Sequence, residues 1–412
     1  MKTDLDSLMQ SQNLDALLVI GPAQHNPAMR YLTGGGHLTH AVLVKRRGEK
    51  AVLFYQPMER EEAAATGLPT RDLSAYPYQR FLTESGGDHA EAAAMRYERI
   101  LRDLDATAGR VALEGRVELG PNFAAFTALQ RRMPSLELVG QAGDSVLMQA
   151  RATKEEDEIA HIRRMGRITT TVVGRVADFL SGQRLRDGLL VDADGQPVTI
   201  GRVKSLINLW LAELGAENPE GTIFAQGRDA GIPHSTGNPD DALRAGKTIV
   251  FDIFPCEAGG GYFYDFTRTW CLGYAPDEAL ALYEDVRSVY AQVMSELTPG
   301  ALCKQYQERT CELFEAQGHP TVRNRPRTQE GYVHSLGHGL GLDVHEAPWF
   351  GSTATNEDRL DPGVVVTIEP GLYYPERGLG CRLEDTVWAR PDGKFEILVD
   401  YPLDLVIPVV GR

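Results

Sequence analysis

Paired cysteines, long apolar runs and a surplus of positive charge are all missing from this 412-residue sequence. The five cysteines are odd in number and form no C-x-x-C pair, which argues against a disulfide framework or zinc ribbon and favours reduced thiols in the cytoplasm. No run of about 18 apolar residues occurs, so we expect no membrane span. The net charge of -15 argues against a nucleic-acid partner, because phosphate binding needs clustered Lys and Arg.

The length and composition predict two domains of a globular enzyme. A chain of 412 residues is too long for one ordinary core, and 42% hydrophobic with 24% charged residues is typical of such enzymes. Residues 1–12 are polar, so we expect no signal peptide. Thr153-Lys-Glu-Glu156 predicts a capping box that opens a new helix. We therefore predict domains at 1–148 and 149–412.

Short apolar runs alternate with helical stretches in the N-terminal third, which predicts an α/β domain with a mixed sheet. The predicted strands and helices are Leu14–Ile20, Ala41–Val44, Ala51–Phe54, Glu91–Leu104, Val111–Glu114 and Phe123–Met133.

Four acids occupy apolar, strand-like settings in the second half. Thr248–Phe254 carries Asp252 and Tyr262–Trp270 carries Asp265, and we predict that these two segments form a β-hairpin. Val364–Glu369 is predicted to be a strand that ends in an acid, and Cys381–Trp388 a strand that contains Glu384. Each acid taken alone has a salt bridge to Arg as an alternative explanation.

A glycine-rich segment, His334–Glu346, follows two predicted amphipathic helices, Glu278–Leu297 and Cys303–Gln317, and contains the three histidines His334, His338 and His345. His334 and His338 are four residues apart, as in the zincin helix H-E-x-x-H, but Ser335 stands where the general base is needed. Its three glycines disfavour a helix by about 1 kcal/mol each. We predict a strand-like segment that other backbone approaches closely. A phosphate loop is the weaker alternative, since no P-loop Lys follows.

These acids and His338 predict a metal site, because a buried ionised carboxylate must be paired, protonated or metal-bound. Four carboxylates and one imidazole suit Mn²⁺, with Co²⁺ and Zn²⁺ as alternatives. Two ions about 3.5–4 Å apart can share one hydroxide as nucleophile and polarise a carbonyl. Histidines that are not ligands are then available to donate protons.

Four motifs of the second half closely resemble those of the pita-bread metallopeptidases, the family of methionine aminopeptidase, aminopeptidase P and prolidase. They are Asp265-Phe-Thr-Arg-Thr, His338-Gly-Leu-Gly-Leu-Asp-Val-His345, Thr367-Ile-Glu369-Pro-Gly and Arg382-Leu-Glu384-Asp. Tyr31-Leu-Thr-Gly34 and the size of the N-terminal domain resemble the creatinase/prolidase type and so the proline-specific branch. The resemblance implies an α/β N-terminal domain plus an α+β C-terminal pita-bread catalytic domain.

The same resemblance implies two divalent metal ions, short peptide substrates cleaved at Xaa-Pro bonds, and a homodimer. Asp252 would hold one ion with both oxygens, and Asp265 with Glu384 would bridge the pair. His338 and Glu369 would complete the other ion's site, and a metal-bridging hydroxide would attack the peptide.

Catalytic roles carry over in the same way. Glu369 would shuttle the proton and His345 would stabilise the tetrahedral intermediate. His234 and His334 would contact substrate, as would Tyr262. Arg382 would orient Glu384 or meet a substrate carboxylate, with a structural salt bridge as its alternative.

Substrate choice is less constrained by the sequence. Phe254-Pro255 stands where the family usually has Gly two residues after the first Asp, so we expect a different pocket wall. An Xaa-Pro bond has no N–H and a fixed ring, which calls for an apolar slot. The candidate walls are Tyr262, Phe263, Trp349, Phe350 and Tyr373. Aminopeptidase and dipeptidase modes both stay open, as do a metal-free creatinase-type hydrolase, an exopeptidase of non-proline or C-terminal specificity, and a non-catalytic binding module.

Overall fold

The computed structural model describes residues 4–143 and 145–411 and divides the chain after Arg151. The first unit runs up to Arg151 and includes Gly259–Gly261, and the second comprises the other residues from Ala152 onward. The predicted two-domain layout is therefore confirmed. Within the described ranges, no helix is both long and apolar enough to cross a membrane.

The first unit is an α/β domain. Its strands are β1 (Ala16–Gly21), β2 (Ala41–Arg46), β3 (Val52–Tyr55), β4 (Thr70–Asp72), β5 (Gly109–Gly115) and β6 (Leu136–Val139). Its helices are α1 (Leu5–Ser11), α2 (Pro27–Thr33), α3 (Arg60–Ala65), α4 (Tyr78–Glu84), α5 (His89–Arg102), α6 (Leu119–Arg132) and α7 (Val146–Ala152), the last of which ends at the division.

The six strands form one mixed sheet in the order β4-β3-β2-β1-β5-β6. The β1–β2 and β2–β3 pairs are antiparallel, whereas the β1–β5, β5–β6 and β3–β4 pairs are parallel. Alternate residues of β1 enter different cores, with Leu17 and Val19 on one face and Leu18 and Ile20 on the other. This period of two explains why the strand sequence is continuously apolar.

The second unit contains helices and several sheets whose strand pairs are mostly antiparallel. Its helices are α8 (Glu156–Ser181), α9 (Ile200–Glu213), α10 (Asp277–Glu296) and α11 (Cys303–Ala316). Its strands are β7 (Arg184–Arg186), β8 (Leu189–Val191), β9 (Ala216–Glu217), β10 (Thr222–Gln226), β11 (Thr248–Ile253), β12 (Cys256–Glu257), β13 (Phe266–Leu272), β14 (His338–Gly339), β15 (Glu346–Trp349), β16 (Val365–Ile368), β17 (Gly371–Tyr374), β18 (Leu379–Arg382), β19 (Asp385–Ala389), β20 (Phe395–Ile397), β21 (Val406–Ile407) and β22 (Val410–Gly411).

One arrangement occurs twice in this unit. Helices α8 and α9 precede the antiparallel strands β10-β11-β13, and helices α10 and α11 precede the antiparallel strands β14-β16-β19. Each set of strands carries two of the acids: Asp252 lies in β11 and Asp265 just before β13, while Glu369 follows β16 and Glu384 just precedes β19. The duplication therefore places two acids in each half.

Strand β11 shows how an acid is kept apart from the apolar core. Ile249, Phe251 and Ile253 belong to the core that includes the buried faces of α8 and α9. Asp252 alternates with them and so lies on the opposite face of the strand. It is directly opposite Thr267 of β13, and Thr267 in turn bridges to Glu384. Asp252, Thr267 and Glu384 therefore form one lateral row across three neighbouring segments.

Two local predictions were wrong in detail. The residue that caps α8 is Glu155, whose carboxylate forms a capping box with Glu158, two positions later than the predicted Thr153 box. The predicted single strand over Cys381–Trp388 is two strands in different sheets, because Leu383 and Glu384 carry the chain from one sheet to the other. The Glu384 N–H donates to the Thr267 carbonyl at 3.1 Å at this crossing.

The glycine-rich segment is not a helix: His338–Gly339 is strand, Glu346 begins β15, and the residues between and before them are bends and irregular backbone. The predicted close backbone approach is present. A Cβ atom at Gly337 would lie 2.0 Å from the Thr367 carbonyl oxygen, and one at Gly339 would lie 2.1 Å from the Ala347 carbonyl oxygen. Side chains at these two positions would push neighbouring strands apart.

Candidate metal centre

The five predicted ligands lie in the second unit, and all of their side chains are buried. The His338 Nε2 atom is 3.3 Å from Glu369 Oε1 and 3.6 Å from Asp265 Oδ2. One ligand atom each from Asp265, His338 and Glu384 lie within 4.8 Å of one another. Asp252 joins the group through the lateral row that it forms with Thr267 and Glu384.

Charge repulsion in the cluster is severe. Burial, followed by the charges of Glu384, Asp252 and Glu369, raises the pKa of Asp265 well above its usual range. Burial, followed by Glu369 and Asp252, does the same to the pKa of Glu384. For Glu369, burial is opposed by His334, His338 and Arg382, which together hold its pKa at about 2. The cluster therefore has more negative charge than its own cations neutralise.

Two oxygen atoms of the cluster show where a cation fits. Asp252 Oδ1 and Glu384 Oε1 are buried and have no hydrogen-bond partner among the described residues. A buried carboxylate oxygen without a donor is costly, by about 1–3 kcal/mol or more for a charged group. Because a divalent ion would satisfy both oxygens and neutralise the repulsion, this donor set fits divalent metal binding.

His338 is oriented to present one nitrogen to a metal. Its Nδ1 atom is 3.0 Å from the Gly339 carbonyl oxygen, so Nδ1–H donates there and Nε2 is left as the ligand atom. Its backbone N–H donates to the Thr367 hydroxyl at 3.1 Å, and that hydroxyl donates to Glu369 Oε1 at 3.1 Å. Thr367 therefore fixes two of the five ligands relative to each other.

Thr267 has the equivalent role beside Glu384. Its hydroxyl donates to Glu384 Oε2 at 2.6 Å and accepts from Arg382 Nε at 3.2 Å. Arg382 is itself buried and donates to Asp252 Oδ2 at 2.5 Å and to the Tyr373 hydroxyl at 2.7 Å. Arg382 thus contacts Asp252 directly and reaches Glu384 through Thr267.

A second buried arginine, which the sequence reading passed over, supports the strands. Arg268 donates to the carbonyl oxygens of Thr267 and Glu384 at 3.0 and 2.8 Å, and it pairs with Asp385 at 2.9 Å. Asp385 also accepts from the Tyr290 hydroxyl at 2.5 Å. An arginine inside an apolar strand, together with an acid directly after Glu384, is the sequence signal for this pair.

Three histidines surround the cluster. His334 Nδ1 lies 3.4 Å from Glu369 Oε2, and His334 Nε2 lies 3.1 Å from His234 Nε2. The His345 ring centroid is 4.3 Å from that of His338. Partial burial and then the charge of His338 lower the pKa of His345 to about 4, so its imidazole is neutral at pH 7 and retains one N–H to donate.

Tyr262 has contacts of a different kind from those of the histidines. Its hydroxyl donates to Glu158 Oε1 at 2.9 Å, and its ring stacks on His161 with centroids 5.3 Å apart. Both partners lie on α8. Its predicted contact with substrate stays a prediction.

Known proteins resemble the chain along both units. Residues 160–391 match metallopeptidase family M24, and residues 3–153 match the creatinase/prolidase N-terminal domain. A probable dipeptidase PepE of Mycobacterium tuberculosis is 29% identical over 294 residues, which is 69% of this chain and 71% of the relative. An Xaa-Pro dipeptidase of Pyrococcus horikoshii is 25% identical over 391 residues, or 93% of each chain.

A solved structure has the same fold. The Xaa-Pro dipeptidase of Bacillus anthracis superposes with a TM-score of 0.75 at 19% identity, covering 98% of this chain and 97% of that one. The fold and the buried carboxylate–histidine cluster define a metal-dependent peptidase of the pita-bread type. The chain belongs to metallopeptidase family M24, with an N-terminal domain of the creatinase/prolidase kind.

Proposed function

We propose that this metallopeptidase is a dinuclear exopeptidase that hydrolyses Xaa-Pro bonds in short peptides. The observation that carries the proposal is the buried cluster of four carboxylates with two unpartnered oxygens, Asp252 Oδ1 and Glu384 Oε1. One divalent ion leaves such a cluster negative, whereas two ions nearly balance it. The Xaa-Pro dipeptidase relatives support the bond type.

The ligand assignment follows the resemblance to the family. Asp265 and Glu384 would be held in common by two ions; burial, followed by the neighbouring acids, raises the pKa of both, and bound cations would favour their ionised forms. Asp252 would serve one ion, and His338 with Glu369 the other. The oxygen-rich donor set favours Mn²⁺, with Co²⁺ and Zn²⁺ as alternatives. When bound, the ions would supply a hydroxide nucleophile and polarise the scissile carbonyl.

The protein's own groups would handle protons and the oxyanion. Glu369 would shuttle the proton, as the family resemblance implies; its pKa is held at about 2, so its carboxylate is ionised at neutral pH. Neutral His345 can donate N–H to the developing oxyanion. The His234–His334 pair, 3.1 Å apart, would hold the substrate next to Glu369. Arg382 is best placed to position Asp252, not to meet a substrate carboxylate.

Of the two cleavage modes we propose that of a dipeptidase, because both the mycobacterial and the archaeal relative are named dipeptidases. A homodimer and a cytoplasmic location also stay proposals. All five cysteines are buried and free, which suits a reducing compartment.

Product analysis tests the proposed function. The Mn²⁺-loaded protein is incubated with Xaa-Pro dipeptides, Xaa-Pro-Xaa tripeptides and longer peptides, with Asp265→Asn as the inactive control. We expect free amino acid and proline from the dipeptides and little from longer chains. Cleavage of Xaa-Ala at the same rate would contradict the proline preference, and release from tripeptides alone would make the enzyme an aminopeptidase.

A further inference from the structure

Five aromatic side chains near the metal motifs are candidates for a proline slot, and two of them are fully used in packing. Phe263 is 6% exposed and belongs to the core beneath α8 and α9. Phe350 is 1% exposed and belongs to the core beneath α10 and α11. Neither ring has a face left for a substrate.

Two tyrosines are occupied as well. The buried Tyr373 ring has its hydroxyl hydrogen-bonded to Arg382 at 2.7 Å, which makes it part of the arginine's support. The Tyr262 hydroxyl is bonded to Glu158, and its ring is stacked on His161. Moving either ring towards a substrate would break these contacts.

Trp349 remains, and its position in the sheet puts it beside the metal ligands. It ends β15 and is paired with His338 of β14, beside an irregularity in the antiparallel register, since the next pair is Gly339 with Glu346. Side chains at paired positions of an antiparallel sheet project from the same face. The next residue, Phe350, lies in the core. The indole therefore shares the face on which His338 Nε2 approaches Glu369 to 3.3 Å.

The backbone around Trp349 is fixed while its ring stays available. Its N–H donates to Asp358 Oδ2 at 2.7 Å, and its carbonyl oxygen accepts from Asn356 Nδ2 at 2.7 Å. The residue is nevertheless 36% exposed, unlike the buried Trp270 and Trp388. Because its backbone is already fixed, this residue loses little conformational entropy when a ligand packs against its ring.

We infer that Trp349 is a specificity-determining residue, the apolar wall against which the proline ring of the substrate packs. This inference rests on the proposed function, because it names the side chain that recognises the residue after the scissile bond. The indole offers no acceptor, and the proline nitrogen of an Xaa-Pro bond has no N–H to offer, so contact is purely apolar. One apolar contact of this kind discriminates by about 10–200-fold.

Kinetic measurements on matched dipeptides test whether Trp349 forms this apolar wall. Relative to wild type, Trp349→Ala should lower kcat/KM for Xaa-Pro by about 10-fold or more, mainly through KM, and lower that for Xaa-Ala much less. Trp349→Phe should restore most of the loss. Tyr274→Ala, which removes an aromatic side chain that is 58% exposed, should behave as wild type. Metal content is measured in each variant. An unchanged Xaa-Pro to Xaa-Ala ratio in Trp349→Ala overturns the inference.

Fluorescence gives a readout that needs no turnover. Acrylamide quenching of the Mn²⁺-loaded enzyme is measured with and without L-proline, with Trp349→Phe as the blank for the other three tryptophans. If L-proline protects tryptophan from quenching in wild type but not in Trp349→Phe, the result supports the inferred role of Trp349. Equal quenching of wild type with and without L-proline overturns it. Equal cleavage of Xaa-Pro and Xaa-Ala by wild type would instead contradict the proposed function, and the quenching result would still decide the role of Trp349.

Discussion

Replacing Thr267 with valine removes the hydrogen bond that supports the ligand Glu384 and leaves Glu384 itself unchanged. The substitution keeps the β-branched shape and removes a hydroxyl that donates to Glu384 Oε2 at 2.6 Å and accepts from Arg382 Nε at 3.2 Å. Glu384 is 1% exposed, and its Oε1 already has no partner. The change therefore leaves both oxygens of a buried carboxylate without a side-chain donor.

The expected effect on metal affinity depends on which protonation state of Glu384 needs the Thr267 hydroxyl. In the metal-free protein, burial and neighbouring charges raise the pKa of Glu384, which disfavours the ionised form that most needs the hydroxyl. In the metal-loaded protein the carboxylate is ionised, and the lost bond costs about 1–3 kcal/mol. At about 1.4 kcal/mol for each factor of ten, this is about 5–140-fold in metal affinity, which spans the loss of about 10–100-fold that is typical when the support of a metal ligand is removed.

The assay is competition of the protein with a chelator for Mn²⁺, together with the melting temperature of the metal-free form. Thr267→Val should bind Mn²⁺ about 10–100-fold more weakly with a nearly unchanged melting temperature. The matched control is Thr310→Val, because Thr310 is equally buried but bonds only the Tyr306 carbonyl within α11. Wild-type affinity in Thr267→Val would refute the support that we assign to this hydroxyl.

Four further outcomes are expected. Asp265→Asn and Glu384→Gln should each abolish hydrolysis with little effect on folding, and near-normal turnover in both would contradict a bridged pair of ions. His345→Ala should lower kcat by about 10²–10³ with metal retained, and loss of metal would make it a ligand. Burial and neighbouring acids raise the pKa values of Asp265 and Glu384, so the stability that these two groups contribute to the metal-free protein is lost as pH rises above their unfolded values, and the melting temperature of Glu384→Gln should depend less on pH in that direction than that of wild type. Sedimentation should give about twice 45.3 kDa, and a 45.3 kDa species at micromolar concentration would rule out the homodimer.

The sequence predicted the parts of this fold that depend on local pattern. Strands β1, β2, β3 and β5 of the first unit and helices α5, α6, α10 and α11 lie within a few residues of their predicted positions, because periodicity and turn residues are local signals. Strands β4 and β6 were not predicted. The acids stood out because charged residues in apolar strands are costly unless they are compensated. Their grouping was predictable from chemistry, since none is satisfied alone.

What the sequence did not predict depends on which segments become neighbours. The chain changes sheets at Leu383–Glu384, and no Gly or Pro between Cys381 and Trp388 marks this change. Thr267 and Thr367 were overlooked because threonine is ordinary in strands, and only the register places their hydroxyls on ligands. The partner of Arg382 proved to be Asp252, 130 residues away, for the same reason.

Metal stoichiometry tests the central claim most directly. Metal-free protein is titrated with Mn²⁺ while bound ions per chain are counted and hydrolysis of an Xaa-Pro dipeptide is followed in the same samples. We predict two ions per chain, with activity rising as the sites fill, and at most one ion and no activity in Asp265→Asn. Full Xaa-Pro hydrolysis with no bound metal, or two bound ions without any hydrolysis, would contradict the account.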